Sequence, residues 1–159
     1  MLNKDGVPSL DQIKTCFPNL ESLQKPKAII ECYEEIPCNP CSTSCPFKAI
    51  YIGPNINKRP QVDFNKCTGC GVCVYSCPGL AISVAQLVGK EVRFKISYEF
   101  LPLPQVGEIW TAINRSGQMI GKAKIEKVTL TKVQDKTALI QVLVDSSLLY
   151  DFITVGKKI

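Results

Sequence analysis

Nine cysteines and no histidine are the features that most constrain this chain of 159 residues. All nine cysteines lie before residue 78, and four of them form the run Cys67-Thr-Gly-Cys70-Gly-Val-Cys73-Val-Tyr-Ser-Cys77-Pro78. This C-x2-C-x2-C-x3-C-P spacing is typical of cysteines that ligate [4Fe–4S] clusters, and the fourth cysteine then serves the other of two clusters. The run therefore predicts an iron–sulfur site.

The absence of histidine excludes several other uses of these residues. A Ser-His or Cys-His nucleophile, haem with a proximal histidine, a Rieske centre and Cys₂His₂ zinc all need an imidazole. A zinc knot or buried thiols would be the alternative interpretation of the cysteines. Zinc sites usually use two separated C-x2-C pairs, whereas here four cysteines share one short run, which favours a cluster.

A second run, Cys38-Asn-Pro-Cys41-Ser-Thr-Ser-Cys45-Pro46, matches the last three cysteines of the same pattern. Glu35 stands where the first cysteine is expected, and Cys32 is the nearest replacement. The extra three residues lengthen the loop but still allow a thiolate to return to the same cluster. Glu35 as an iron ligand is the alternative, and iron–sulfur sites prefer thiolate over carboxylate.

The two runs belong to an internal repeat of 32 residues, because Cys45-Pro-Phe-Lys-Ala-Ile aligns with Cys77-Pro-Gly-Leu-Ala-Ile. A duplicated unit favours a pseudo-twofold axis and a reciprocal exchange of the fourth ligands. We therefore expect two [4Fe–4S] clusters, and the other interpretation is one complete cluster beside a decayed site. The first cluster is assigned Cys32, Cys38, Cys41 and Cys77. The second is assigned Cys45, Cys67, Cys70 and Cys73. Cys16 is left without a role, and we expect the apolar residues Ile50, Ile52, Val62, Phe64, Val72, Ile82 and Val84 to surround the clusters.

The first half of the chain predicts few regular elements. A short helix is expected over Leu10–Thr15, with Ser9 as its N-cap and Pro18 beyond its end. The three short strands expected in this half cover 27–32, 50–52 and 61–64.

The second half predicts β structure. Residues 92–98 alternate apolar and polar side chains, the period of a half-buried strand. The further strands are expected over 108–113, 118–128 and 137–144. Asn114-Arg-Ser-Gly117 is expected to form a hairpin loop, and Leu101-Pro-Leu-Pro cannot be a central strand. Ser146 is expected to cap a last helical turn. That turn would place Leu148, Leu149, Phe152 and Ile153 on one face.

Net charge, like the cysteines, is unevenly distributed between the two halves of the chain. Residues 1–85 carry 8 basic and 7 acidic side chains, and residues 86–159 carry 11 and 7, for a total of +5. Eight thiolates with two oxidised [4Fe–4S]²⁺ cores lower the first half from +1 to −3. The apparent basic character, which favours a nucleic-acid partner, then belongs only to the second half, where Lys122, Lys124 and Lys127 are interpreted mainly as solvated surface.

Other sequence features bear on location. The N-terminus lacks the apolar core of a signal peptide, and no apolar stretch approaches a membrane span of about 18 residues. A reducing, cytoplasmic setting is therefore expected, and it favours metal ligation over disulfides.

Residues 32–84 resemble the bacterial two-[4Fe–4S] ferredoxin domain. The resemblance implies a two-cluster ferredoxin-like domain over 28–85. With the helix and strands expected from the sequence pattern, the chain is predicted to have an α+β fold in which an N-terminal segment with a short helix, over 1–27, precedes this domain. A small all-β docking domain, a barrel or a sandwich, is then expected over 86–159. The displaced Cys32 departs from the common ferredoxin pattern.

A narrower resemblance involves residues 28–41 and 98–107, which are similar to the small iron–sulfur subunit of FAD-dependent proline, hydroxyproline and sarcosine-type dehydrogenases. In that family a cysteine occupies the position of Cys32. The resemblance implies partner subunits that carry FAD, with FMN and a small [2Fe–2S] protein as further expectations, and a hetero-oligomeric assembly.

These features together predict a non-catalytic electron-transfer subunit of an oxidoreductase complex. The chain has no G-x-G-x-x-G dinucleotide motif and no predicted catalytic residue of its own. The alternatives are a free-standing two-cluster ferredoxin and a redox-sensing module that binds nucleic acid. Against the second alternative, the β half lacks a basic stripe interleaved with aromatic residues.

Overall fold

The computed structural model describes all 159 residues and has an α+β fold with few helices and mostly antiparallel sheet. The helices are α1 (Leu10–Thr15), α2 (Pro40–Ser44) and α3 (Val72–Ser76). The strands are β1 (Lys27–Ile30), β2 (Ile50–Tyr51), β3 (Gln61–Val62), β4 (Ile82–Val88), β5 (Glu91–Tyr98), β6 (Ile109–Asn114), β7 (Met119–Thr129), β8 (Ala138–Asp145) and β9 (Phe152–Lys158). Single 3₁₀ turns cover Ser22–Gln24, Lys132–Gln134 and Ser146–Leu148. All the helices are too short to cross a membrane.

Helix α1 begins and ends where the sequence predicts. The Ser9 side chain accepts a hydrogen bond from the backbone of Gln12, and the Gln12 side chain accepts one from the Ser9 backbone. This reciprocal capping box satisfies two of the N–H groups that a helix leaves free at its start. It fixes a helix of only six residues.

The 32-residue repeat of the sequence is also a repeat of the backbone. β4 pairs antiparallel with β1, and Ile82 lies opposite Ile30. In the same register, β2 pairs with β3, and Ile50 lies opposite Val62. Ile50 and Ile82 are 32 positions apart, as are Ile30 and Val62, so the two strand pairs are equivalent in the repeat. Helices α2 and α3 are related by the same spacing. The first repeat supplies β1 and β2, and the second supplies β3 and β4. Each strand pair therefore contains one strand from each repeat, so the two repeats interlock.

Strands β1 and β4 separate two apolar cores. Alternate side chains of a strand point to opposite faces, so Val84 packs on the cysteine side while Ala85 packs among the long strands. In β1, Ile30 and Ile29 divide in the same way. The two strands thus form a shared wall between the cysteine-containing half and the rest of the molecule.

The large sheet has seven strands in the order β1-β4-β5-β8-β7-β6-β9. It therefore includes β1 and β4 of the cysteine-containing half as well as all five strands that follow residue 90. The predicted domain boundary after residue 85 falls inside β4, and hydrogen bonding continues across it. The division into domains, and a closed barrel or two-sheet sandwich, stay predictions.

Four of the predicted strands in the second half are present within two residues of their expected ends, and the Asn114–Gly117 hairpin loop joins β6 to β7. The predicted helical turn after Ser146 is wrong beyond Leu148. Asp145, not Ser146, caps a single 3₁₀ turn by accepting from the Ser147 backbone, and Phe152 starts strand β9. Phe152 is buried, and its ring contacts that of Phe94. The apolar spacing that fits one face of a helix therefore belongs, in this segment, to a strand that packs against the core.

Candidate metal centres

One cavity is lined by four of the predicted ligands. Its walls include Cys32, Cys38, Cys41 and Cys77, the set assigned to the first cluster. Three of these cysteines come from the first repeat, and Cys77 comes from the second. The other residues that line this cavity are mostly prolines and aliphatic residues, and Glu34 and Lys58 are the charged ones.

A second cavity is lined by the other four cysteines. Cys45, Cys67, Cys70 and Cys73 share its walls with alanine, isoleucine, valine and phenylalanine side chains. Here Cys45 is the residue contributed by the opposite repeat. The structure therefore brings together the two groups of four that the reciprocal assignment predicts, each containing one cysteine from the other repeat.

The positions of Cys45 and Cys77 follow from how the two short helices end. Cys41 lies within α2 and Cys45 is its C-cap, while Cys73 lies within α3 and Cys77 is its C-cap. Each C-cap residue leaves the helix with extended backbone, which separates its thiol from the cysteines that precede it. The proline that follows Cys45 and Cys77 disfavours helical backbone at each of these cysteines.

Backbone amides donate to three of the sulfur atoms. The N–H of Ala49 donates to Cys45 Sγ at 3.4 Å, and the N–H of Ala81 donates to Cys77 Sγ at 3.4 Å. The N–H of Ala28 in β1 donates to Cys67 Sγ at 3.3 Å. Such hydrogen bonds stabilise negative charge on sulfur, and they are one of the factors that set the potential of a cluster.

The glycines of the second run occupy positions that a side chain would disturb. Gly69 has φ +68, and a Cβ atom there would lie 2.5 Å from the Pro26 Cβ. Gly71 has φ +91 and starts α3, and a Cβ atom there would lie 2.8 Å from Leu139 Cδ2. Left-handed backbone favours glycine at both positions, and at Gly69 the close approach of the Pro26 backbone, at 2.7 Å from the Cβ position, adds a second reason.

The pKa values of the buried thiols show which cysteines lie near one another. Burial first, and then the negative charges of Cys67, Cys70 and Cys45, together raise the pKa of Cys73 to about 12. Burial also raises the pKa of Cys41 to about 11, with Cys77 as the largest charged contributor. A metal that displaces these protons would convert the thiols to thiolates.

Two lysines hold the loop of the second cavity. Lys27 is buried, and its ammonium donates to the carbonyls of Phe64 at 2.6 Å and Cys67 at 2.8 Å. Lys95 donates to the carbonyl of Gly69 at 2.8 Å, and burial lowers its pKa. Sequence reasoning missed both, because a lysine in a strand carries no local sign of which loop its side chain reaches.

Glu35 and Cys16 are not among the residues that line the two cavities. Glu35 forms an exposed ion pair with Lys58 at 2.9 Å and does not line the first cavity. Cys16 caps the end of α1, and its Sγ donates to the carbonyl of Gln12 at 3.6 Å. It lines a different cleft, with Arg59 and Phe64 among its neighbours. Of the predicted apolar surroundings, Ile50, Ile52, Val62, Ile82 and Val84 pack with the cysteines.

The donor set fits iron–sulfur clusters. All nine cysteines are free, so no disulfide competes for the sulfurs. No group of three side chains is arranged to hold a single metal ion. Four thiols around a cavity with apolar walls supply one ligand for each iron of a cubane and a dry surrounding.

Comparison with known proteins also indicates iron–sulfur chemistry. Residues 36–81 match the family model described as a 4Fe-4S dicluster domain. The chain is 35% identical over 60 residues to the VorC protein of ketoisovalerate oxidoreductase from Methanothermobacter marburgensis, which is 35% of this chain and 76% of that protein. The chain belongs to the 4Fe-4S dicluster family.

Two further relatives match over a smaller share of their own length. A sulfite dehydrogenase subunit from Allochromatium vinosum is 44% identical over 62 residues, 39% of this chain and 24% of the relative. Ferredoxin-type protein NapF of Escherichia coli is 37% identical over 57 residues, 35% of each protein. The chain thus spans about a quarter to a third of these two relatives. No solved structure matches. The family and these names support an iron–sulfur electron-transfer role.

Proposed function

We propose that the chain holds two [4Fe–4S] clusters, one in each cavity, and that it is the electron-transfer subunit of an oxidoreductase complex. The single observation that carries the proposal is the grouping of the eight cysteines. Each cavity is lined by four of them, three from one repeat and one from the other. A decayed second site would have no reason to retain a complete set of four thiols around an apolar cavity.

The clusters would supply reversible uptake and release of single electrons. The residues of this chain would orient and tune them. The N–H groups of Ala28, Ala49 and Ala81 donate to ligand sulfurs, and the apolar side chains around the cysteines exclude water. Strands β1 and β4 belong to the large sheet and line both cavities, so both sites are fixed to that sheet.

We further propose that the partner is a flavoprotein, in which FAD oxidises an amino acid or a related amine and passes electrons to this chain. The resemblance of residues 28–41 and 98–107 to the small subunit of such dehydrogenases supports this. The relatives named as subunits of sulfite dehydrogenase and ketoisovalerate oxidoreductase support only the wider assignment to an oxidoreductase complex. FMN and a small [2Fe–2S] protein are the further cofactors expected in such a complex.

The cluster content is tested by anaerobic analysis of iron and acid-labile sulfide. Two cubanes require about eight of each per chain. Cys32→Ala should remove or convert one cluster and leave the other, and Cys16→Ala is the matched control that should leave both. A wild-type content of four irons, or equal losses in the two variants, would contradict the two-cluster proposal.

The complex is tested by purification from the native host under anaerobic conditions. The expected product is an assembly that contains flavin and reduces a dye with proline, hydroxyproline or sarcosine as substrate. The relative named as a ferredoxin-type protein favours a second candidate, a free-standing carrier. Recovery of a 17.5 kDa monomer without flavin would support that candidate and contradict the assignment to a complex.

A further inference from the structure

A cleft of about 310 Å³ lies beside the second cavity, between α3 and the strands β5, β7 and β8. Cys70 borders both the cleft and the cavity. Of the eight predicted cluster ligands, Cys70 is the one with an exposed side chain. Electron transfer between proteins weakens steeply with distance, so the exposed ligand marks the side from which a partner's redox centre approaches most closely.

The walls of this cleft carry positive charge and no carboxylate. Lys95 and Lys127 line it, together with hydroxyl and amide side chains that include Thr129, Thr131 and Gln134. The Lys127 side chain is exposed and has no ion-pair partner in the structure. Its charge is therefore available to a ligand, whereas the ammonium of Lys95 already bonds to Gly69.

The surroundings of the first cavity are different. Glu34 lines it, and Lys58, the basic residue that also lines it, is paired with Glu35 at 2.9 Å. The two cavities therefore present surfaces of different charge, although their cysteines are related by the repeat. An acidic partner would be attracted to the cleft at Cys70 and not to the first cavity.

We propose that this cleft is the docking site for an acidic segment of the partner protein that receives electrons from the second cluster. The inference rests on the proposed function, because it needs a cluster ligated by Cys70. In the docked complex the cluster held by Cys45, Cys67, Cys70 and Cys73 would supply one electron to a one-electron acceptor of the partner, with no bond formed or broken.

The test uses the reduced holoprotein, two small oxidants of opposite charge and an acidic peptide. Oxidation by the ferricyanide anion and by the hexaammineruthenium(III) cation is followed by stopped flow at low ionic strength. Lys127→Glu is expected to slow the reaction with ferricyanide about 5-fold and to accelerate the reaction with the cation. Deca-glutamate should inhibit oxidation of the wild-type protein by ferricyanide, and the inhibition should disappear in Lys127→Glu.

Lys122→Glu is the matched control. It makes the same charge change on the same strand, and Lys122 does not line the cleft. Equal effects of the two variants would show that net charge alone is responsible and would overturn the docking site, as would a wild-type protein that deca-glutamate does not inhibit. An iron content below about eight in the wild type would instead contradict the proposed function, so the two failures are distinguishable.

Discussion

Arg115 donates two hydrogen bonds to the Glu31 carboxylate, from Nε and Nη2 at 2.8 Å each. The two residues are 84 positions apart, and their side chains are only 11% and 8% exposed. Arg115 lies in the hairpin loop between β6 and β7, and it also donates to the carbonyl of Tyr150 at 2.6 Å. Glu31 directly precedes Cys32. The pair therefore connects the hairpin loop to the backbone beside Cys32, the proposed ligand that is displaced from the usual spacing.

Arg115→Met should destabilise the protein strongly, because the Glu31 carboxylate stays buried without a positive charge and keeps only the hydrogen bond from the Tyr33 hydroxyl. Removing one member of a buried ion pair costs about 3–5 kcal/mol. The measurement is urea unfolding of the holoprotein, followed by the fluorescence of Trp110, the single tryptophan. The visible absorbance of the clusters should be lost at a lower urea concentration in the variant.

Arg93→Met is the control for this change. Arg93 also forms a two-point pair, with Glu126, but the side chains are 29% and 21% exposed, so water replaces part of the lost interaction. Its effect should be smaller, about 1 kcal/mol. The double variant Arg115→Met/Glu31→Met should be less destabilised than the sum of its two single variants. Additive single effects would show that the pair does not act as a unit.

Much of the cysteine-containing half was predictable because its constraints are local. The C-x2-C spacing brings thiols to one side of a turn, and the repeat relates Cys45 to Cys77 without knowledge of the fold. The structure places both residues as C-caps of equivalent helices, and each faces the cavity of the other repeat.

The contacts between the two halves were not predictable. Arg115 and Lys95 bond to residues that are distant in sequence, and no sequence pattern around either residue indicates which residue that is. The apolar spacing after Leu148 fits one face of a helix as well as a strand that packs against a core, so the sequence alone predicts a helical turn at Phe152 where the structure has a strand. Only the pairing of β9 with β6 decides between them.

The proposed reciprocal exchange of ligands predicts a specific outcome for double variants. Cys38→Ser/Cys77→Ser removes two ligands from one cavity, so one cluster, or about four irons per chain, should remain. Cys70→Ser/Cys77→Ser removes one ligand from each cavity although both residues lie in the same run. This variant should lose or convert both clusters. Iron analysis and EPR of the reduced proteins distinguish the two results. If Cys77 belonged with Cys70, the outcomes would be reversed.

Gly69→Ala should destabilise the loop of the second cavity. The left-handed backbone costs a residue with a side chain about 1–3 kcal/mol, and the added Cβ would also collide with Pro26. The expected result is a lower urea midpoint and faster loss of one cluster. Gly89→Ala is the matched control, since Gly89 has φ +61 with no atom near its Cβ position. Equal destabilisation by both substitutions would show that backbone strain accounts for the effect without the collision.

Lys95→Met should lower the reduction potential of the second cluster. The Lys95 ammonium bonds to the Gly69 carbonyl, beside Cys70, and its positive charge favours the added electron. A loss of about 1 kcal/mol of this attraction corresponds to about 40 mV for one electron. An EPR-monitored titration should show one cluster shifted and the other unchanged, because the first cavity has no contact with Lys95. Lys122→Met removes the same charge from the exposed surface, and salt should screen its effect on both clusters. A shift of both potentials by Lys95→Met would contradict a local action on the second site.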